Sequence, residues 1–394
     1  MGLTFLSLGD TVQGSSFATK DGDEEFHITV RTNEGTDFNC ELEALYESYT
    51  NALHALGLTT DTQTFSRFYI GDIVNQKELL VRSRVFETAR LGAVSVVQQC
   101  PVNGGSVVLY AYHVRRGGLF YPKEIICPDV DGWRNGALVR GRTYSLLYAA
   151  NLTGGGIFDS CAQATEVFGA FNALLNERGM TLYDNAVRTW VYVRDIDNHY
   201  RGMVEARKSF FLEHGLTSKT KYISSTGIEG SFRDVNALVQ LDALAIGGLC
   251  NEQFVRMEAL DHLSPTIRYG VTFERGMRIR FGDRSHLYIS GTASIDHDGR
   301  TLYASDVRRQ THRTIENVKA LLASQGAGLT DMACLVCYLR DFKDEKRVMD
   351  IVREEIPPDI PCLYVIGAVC RPGWLVEFEG VGIIPDRTDF PPFL

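Results

Sequence analysis

Tyr69-Ile-Gly-Asp72, Tyr192-Val-Arg-Asp195 and Tyr338-Leu-Arg-Asp341 are three copies of one short pattern, each closing an apolar strand-like run and each followed by a helix-like run. The tyrosines stand 123 and then 146 residues apart, a spacing of domain size rather than solenoid size. Around each copy the order of periodicities repeats. An amphipathic helical stretch precedes it (42–56, 161–178 and 307–325), a second follows (75–86, 199–214 and 345–354), and two strand-like runs close the unit (94–99 with 106–113, 221–228 with 237–246, 362–369 with 375–383).

Three copies of one α+β module are therefore expected, with mixed sheets and helices on the outer face. Related modules reuse one interface and close a ring, so the chain should mimic a trimer with its subunits fused. The expected division is a first, degenerate module over 1–114, a connector over 115–142, a second module over 143–250 and a third over 251–394.

Composition narrows the class. With 394 residues, 44% hydrophobic and 23% charged, the chain can bury sizeable cores. A net charge of −9 without any basic block gives nucleic acid no electrostatic foothold. The first ten residues show neither a basic start nor a long apolar run, so no signal peptide, membrane span or membrane partner is expected. Nine cysteines, an odd number scattered through apolar strands, read as reduced thiols of a cytoplasmic protein. Cys334 and Cys337 fit a CxxC spacing, but three residues apart on a strand they point to opposite faces. The histidines show no HxxxH or HExxH spacing, and no metal site is expected.

Strand parity locates candidate chemistry. Val187, Thr189, Val191 and Val193 share one small, apolar face, as under a helix layer, while Arg188, Trp190, Tyr192 and Arg194 share the other. That second face suits a solvated surface, a subunit seam, or a pocket where Arg grips a carboxylate. In the last strand Glu377 and Glu379 lie together on one face. Glu377 in a desolvated pocket would stay protonated and act as a general acid; the alternative is a structural ion pair. Ser225-Thr-Gly-Ile-Glu-Gly230 and Ser290-Gly-Thr-Ala-Ser294 offer hydroxyls and glycines beside strands.

The third unit, from Leu287-Tyr-Ile-Ser-Gly-Thr-Ala-Ser294 through Gln310-Thr-His-Arg-Thr-Ile-Glu-Asn-Val-Lys319 to Leu375-Val-Glu-Phe-Glu379, resembles the RidA/YjgF-like fold. Across about residues 143 to 386, five ordered motifs resemble those of chorismatases: Arg188-Thr-Trp-Val-Tyr-Val-Arg-Asp-Ile196, Ser225 to Gly230, Tyr269-Gly-Val-Thr-Phe-Glu-Arg-Gly276, Ser290 to Asp296, and Cys370-Arg-Pro-Gly-Trp-Leu-Val-Glu377. Chorismatases are built of RidA-like modules and cleave chorismate to pyruvate and a hydroxybenzoate or dihydroxycyclohexadiene acid.

The resemblance implies roles. Glu377 would protonate the enolpyruvyl methylene, and Cys370 matches a pocket cysteine that accompanies hydroxybenzoate formation, the favoured product. Arg188 and Arg275 would bind the two carboxylates, with Tyr192 or Tyr269 and Thr226 assisting, and Gly291 and Ala293 would form a pocket wall. No metal or organic cofactor is implied; the partner is a small carboxylate substrate, and the chain would act as a monomer or loose homo-oligomer. Two other readings stay open: a RidA-type imine or enamine deaminase and a non-catalytic ligand-binding module. The deaminase position that carries an Arg falls near Val94, Ser224 and Leu363.

Overall fold

The Asp of each repeated pattern ends a strand and starts the next helical turn. In the computed structural model, which describes residues 2–394 apart from 20–21, 34, 36, 103, 118 and 128–132 and the side chain of Tyr269, the Asp72 carboxylate accepts from the backbone N–H of Val74 and Asn75, and that of Asp341 from Lys343. These are N-caps, satisfying donors that the first turn leaves open. Asp195 differs: its backbone is left-handed (φ 47°), and its carboxylate accepts from the Asn198 amide instead.

Three six-stranded sheets follow, all in one strand order. Edge to edge, the first runs Leu3–Ser7, Val12–Ala18, Asp23–Arg31, Val107–Arg116, Gln63–Ile70, Ala93–Gln98. The second runs Lys123–Ile126, Asn135–Arg140, Ser145–Thr153, Val239–Gly247, Ala186–Val193, Ser224–Glu229. The third runs Phe254–Arg256, Gly276–Arg280, Arg284–Ala293, Val376–Pro385, Met332–Leu339, Cys362–Ile366. In each sheet the last two strands pair in parallel and the rest antiparallel, because a helix crosses between the parallel pair. The span 115–142, expected as a connector, supplies the two outer strands of the second sheet. The helix expected over 75–86 is two, Ile73–Val81 and Arg84–Ala89, divided where the Ser83 hydroxyl caps the second.

Each sheet buries two faces. One packs on helices: Val191 and Val193 join Phe168, Phe171 and Phe211 in the second module, and Phe68 joins Leu45 and Tyr49 in the first. The other turns towards the pseudo-threefold axis, where the three motif tyrosines, Tyr69, Tyr192 and Tyr338, share one core with no exposure. A second axial core joins Phe65, Tyr148 and Tyr288 from the three modules. Val187, expected on the helix side with Val191, joins this axial core instead, since a register shift between Ala186 and Arg188 breaks the alternation.

Candidate active site

The strand carrying Glu377 lies in the middle of the third sheet, and in all three sheets the residue opposite the motif tyrosine is comparable. Glu377 faces Tyr338, Gln240 faces Tyr192 and Val108 faces Tyr69. The three seams thus begin with the same backbone and different chemistry. Between the first and second modules Asn151, left-handed at φ 56°, bridges the two sides, accepting from the Gln240 amide (3.3 Å) and from Val96 N (2.9 Å). Between the second and third modules a cavity of about 250 Å³ remains. That is slightly below the usual range for small-molecule sites.

The second module contributes Ser225 and Gly227 from its edge strand and Tyr200 and Arg207 from the helix Ile196–Glu213. The third contributes Glu377, Arg275, Phe273, Gly291, Ala293, Cys370 and Trp374. A register shift between Ile289 and Thr292 puts Gly291 on the wall, its N–H donating to Thr226 Oγ1 at 2.9 Å. The loop bearing Cys370 is anchored from beneath by Arg340, the arginine of the third repeat, which donates to the carbonyls of Trp374, Val369 and Arg371.

The electrostatics single out Glu377. It is buried, and its Oε1 meets no partner among the described residues. Burial first and the neighbouring Glu379 second raise its pKa from the usual 4.5 to about 8, against the opposing pull of Arg188 and Arg275. A carboxyl so placed is a neutral acid near pH 7. The Cys370 thiol is pushed up to about 12 by burial and by Glu377, so it stays a thiol.

Cations face that acid. Arg207 is 1% exposed, and only its Nη1 reaches a hydroxyl, Ser225 Oγ at 3.4 Å; Nε and Nη2 have no partner among the described residues. Arg275 donates through Nε and Nη2 to the Ser264 carbonyl (3.1 and 3.0 Å). Both guanidinium carbons lie 5.7 Å from the centre of the Phe273 ring. Two buried guanidinium groups about one aromatic ring suit a planar dianion.

Of the residues singled out from sequence, Glu377, Cys370, Arg275, Gly291 and Ala293 line this cavity together. Arg188 does not: its Nη2 lies 2.6 Å from Glu379 Oε2 and donates to Thr226 Oγ1 at 2.6 Å. Thr226 sits just behind Gly291, and Tyr192 lies in the axial core. The Tyr269 side chain is outside the described residues, its backbone closing the short helix Thr266–Tyr269. Arg207, Tyr200, Phe273 and Trp374 were not anticipated. A signal for Arg207 existed, because it follows Met203 and precedes Phe211 at four-residue spacing on the buried face of its helix. No arginine stands at the deaminase position, where Ser224 donates its hydroxyl to the Val187 carbonyl.

Residues 278–384 match the family described as Endoribonuclease L-PSP. A 3-hydroxybenzoate synthase of Streptomyces hygroscopicus is 29% identical over 232 residues, covering 53% of this chain and 65% of that protein, so the chain spans just under two thirds of that relative. A RutC family protein of Pyrococcus abyssi is 28% identical over 96 residues, 24% of this chain and 76% of its own length. Among solved structures, a chorismatase crystal structure superposes with a TM-score of 0.63 at 17% identity, covering 82% of this chain and 93% of that one, and so shares its fold.

Proposed function

We propose that this chain, of the chorismatase/RidA-like kind, cleaves the enolpyruvyl ether of chorismate or a close relative, releasing pyruvate and a hydroxybenzoate acid. The observation that carries the reading is the neutral carboxyl of Glu377, its Oε1 without a partner among the described residues, lining one seam cavity with the two buried arginines Arg207 and Arg275. A binding module has no need of an acid held in that state; an ether cleavage begun by protonation does.

Arg207 and Arg275 hold the two carboxylates and set the enolpyruvyl methylene against Glu377. The Glu377 O–H passes its proton to that methylene, and the electron pair of the C=C bond forms the new C–H bond. The adjacent carbon becomes an oxocarbenium centre, stabilised by the ether oxygen. If the neighbouring ring hydroxyl adds to it, its proton returning to the Glu377 carboxylate, a cyclic ketal forms. Loss of a ring C–H proton as the adjacent ring C–O bond breaks aromatises the ring, that proton going to the departing oxygen, and the hemiketal left behind opens to pyruvate and a hydroxybenzoate with no water consumed. If water adds, the hemiketal collapses to pyruvate and a dihydroxycyclohexadiene acid. A seam with Trp374, Phe273 and a neutral Cys370 thiol favours the drier course, and the likeness to a hydroxybenzoate synthase leans the same way.

Incubation with chorismate, following pyruvate enzymatically and the aromatic acid by absorbance, tests this. Pyruvate should appear with the wild type and be lost by a factor of at least a thousand in Glu377→Gln. Folded protein that releases none, or a Glu377→Gln variant that still turns over, would overturn it.

A further inference from the structure

Glu379 is the second carboxylate of the strand, two residues beyond Glu377 on the same face and about 7 Å along it. It does not line the substrate cavity. It is 2% exposed and collects three donors from two strands. Arg188 Nη2 approaches Oε2 at 2.6 Å, while Trp190 Nε1 (3.0 Å) and Tyr338 OH (2.8 Å) donate to Oε1. Three donors, one of them a buried guanidinium, hold this carboxylate in one place. The same Arg188 nitrogen donates to Thr226 Oγ1, and Thr226 Oγ1 accepts from the Gly291 N–H. One continuous chain of hydrogen bonds thus runs from Glu379 to the glycine that makes room for the Glu377 carboxyl.

We propose that Glu379 is a positioning residue for the acid: it engages the Arg188 guanidinium that would otherwise be free to act on the Glu377 carboxyl, and through Arg188 and Thr226 it holds Gly291 where that carboxyl needs it. This deepens the proposed function and rests on it for the catalytic consequence. The opposing charges around Glu377 come from several elements: Arg188 from the neighbouring strand of the second module, Arg207 from the helix, and Arg275 and Arg371 from the third module. Cys370 and Tyr200 line the cavity beside it, and Tyr338 stands opposite it in the sheet. The positive charges act to ionise Glu377, and Glu379 is the nearby negative charge that resists them. The other seams lack this pairing of two carboxylates: Asp242, at the position of Glu379, has Gln240 where the third module has Glu377, and the first module has Tyr110 and Val108.

The protonation of Glu377 can be read without turnover, from its carboxylic C=O stretch in infrared difference spectra of the ligand-free protein against Glu377→Gln. In Glu379→Gln the midpoint should fall by at least one pH unit, tenfold in proton affinity, because Arg188 is then unopposed. The double variant Arg188→Gln/Glu379→Gln removes both charges, and its midpoint should fall between those two; it carries the measurement if the single variant does not fold. The basic limb of kcat/KM for pyruvate release should move in step. An unmoved midpoint in the folded variants would overturn the inference, whatever happens to the rate. A moved midpoint in a protein that leaves chorismate intact would sustain the charge relation and sink the proposed function instead.

Discussion

A Cβ built on Gly291 would fall 2.8 Å from the Glu377 carboxyl carbon and closer still to Oε1, so the acid occupies the space that the glycine leaves. The glycine is required by close approach, not by its dihedral angles. Gly291→Ala should drive the carboxyl off its rotamer at a cost of about 1–3 kcal/mol. Pyruvate release should drop at least a hundredfold while the melting temperature falls only by several degrees. Full activity in Gly291→Ala would mean that the carboxyl does not work from this position.

The proton on Glu377 gives activity and stability opposite slopes to those of an ordinary carboxylate. The folded group titrates near 8 and the unfolded one near 4.5. Between those values the folded state holds a proton that the unfolded state has released, so rising pH favours unfolding. Stability contributed by the neutral form is complete below about pH 4.5 and lost as pH climbs through 8. Relative to Glu377→Gln, the wild type should lose about 2–4 kcal/mol between pH 5 and 8.5 in denaturant titrations. Its kcat/KM should decline above about pH 8. Parallel stability profiles for the two proteins would contradict a raised pKa.

The repeated Tyr-x-x-Asp pattern made the architecture legible because its tyrosines pack on the axis in every module and its aspartates stand at the strand-to-helix turn, capping it in the first and third. Parity likewise put Arg188, Trp190 and Tyr192 on one face, left open as solvated surface, seam or pocket, which the structure turns inward. It could not say which partner meets them there. The carboxylate that claims Arg188 and Trp190 comes from a strand almost two hundred residues on, so the arginine expected to grip substrate is spent on Glu379. Arg207 was hidden for the converse reason, since a cation on a helix reads as solvated until tertiary structure closes over it. The outermost strand of the second module is illegible in the sequence because its four residues, Lys123–Ile126, are too few to show a period.

Arg207 carries two buried donors without partners among the described residues, a cost that a ligand carboxylate would offset. Arg207→Met should therefore raise KM for chorismate at least a hundredfold, about 3 kcal/mol, with the fold unharmed or slightly firmer. Steady-state rates and a thermal melt on the same preparation decide it. An unchanged KM would assign the arginine to the scaffold.

Arg188 should behave in the opposite way. Removing it leaves Glu379 buried with only the neutral donors Trp190 and Tyr338, and breaking one side of such a pair costs about 3–5 kcal/mol. Arg188→Met is expected to unfold at distinctly lower denaturant concentration. KM for chorismate in the protein that remains folded should change by less than threefold, since the guanidinium points at Glu379 and Thr226 rather than into the cavity. A large rise in KM with stability intact would return Arg188 to the substrate.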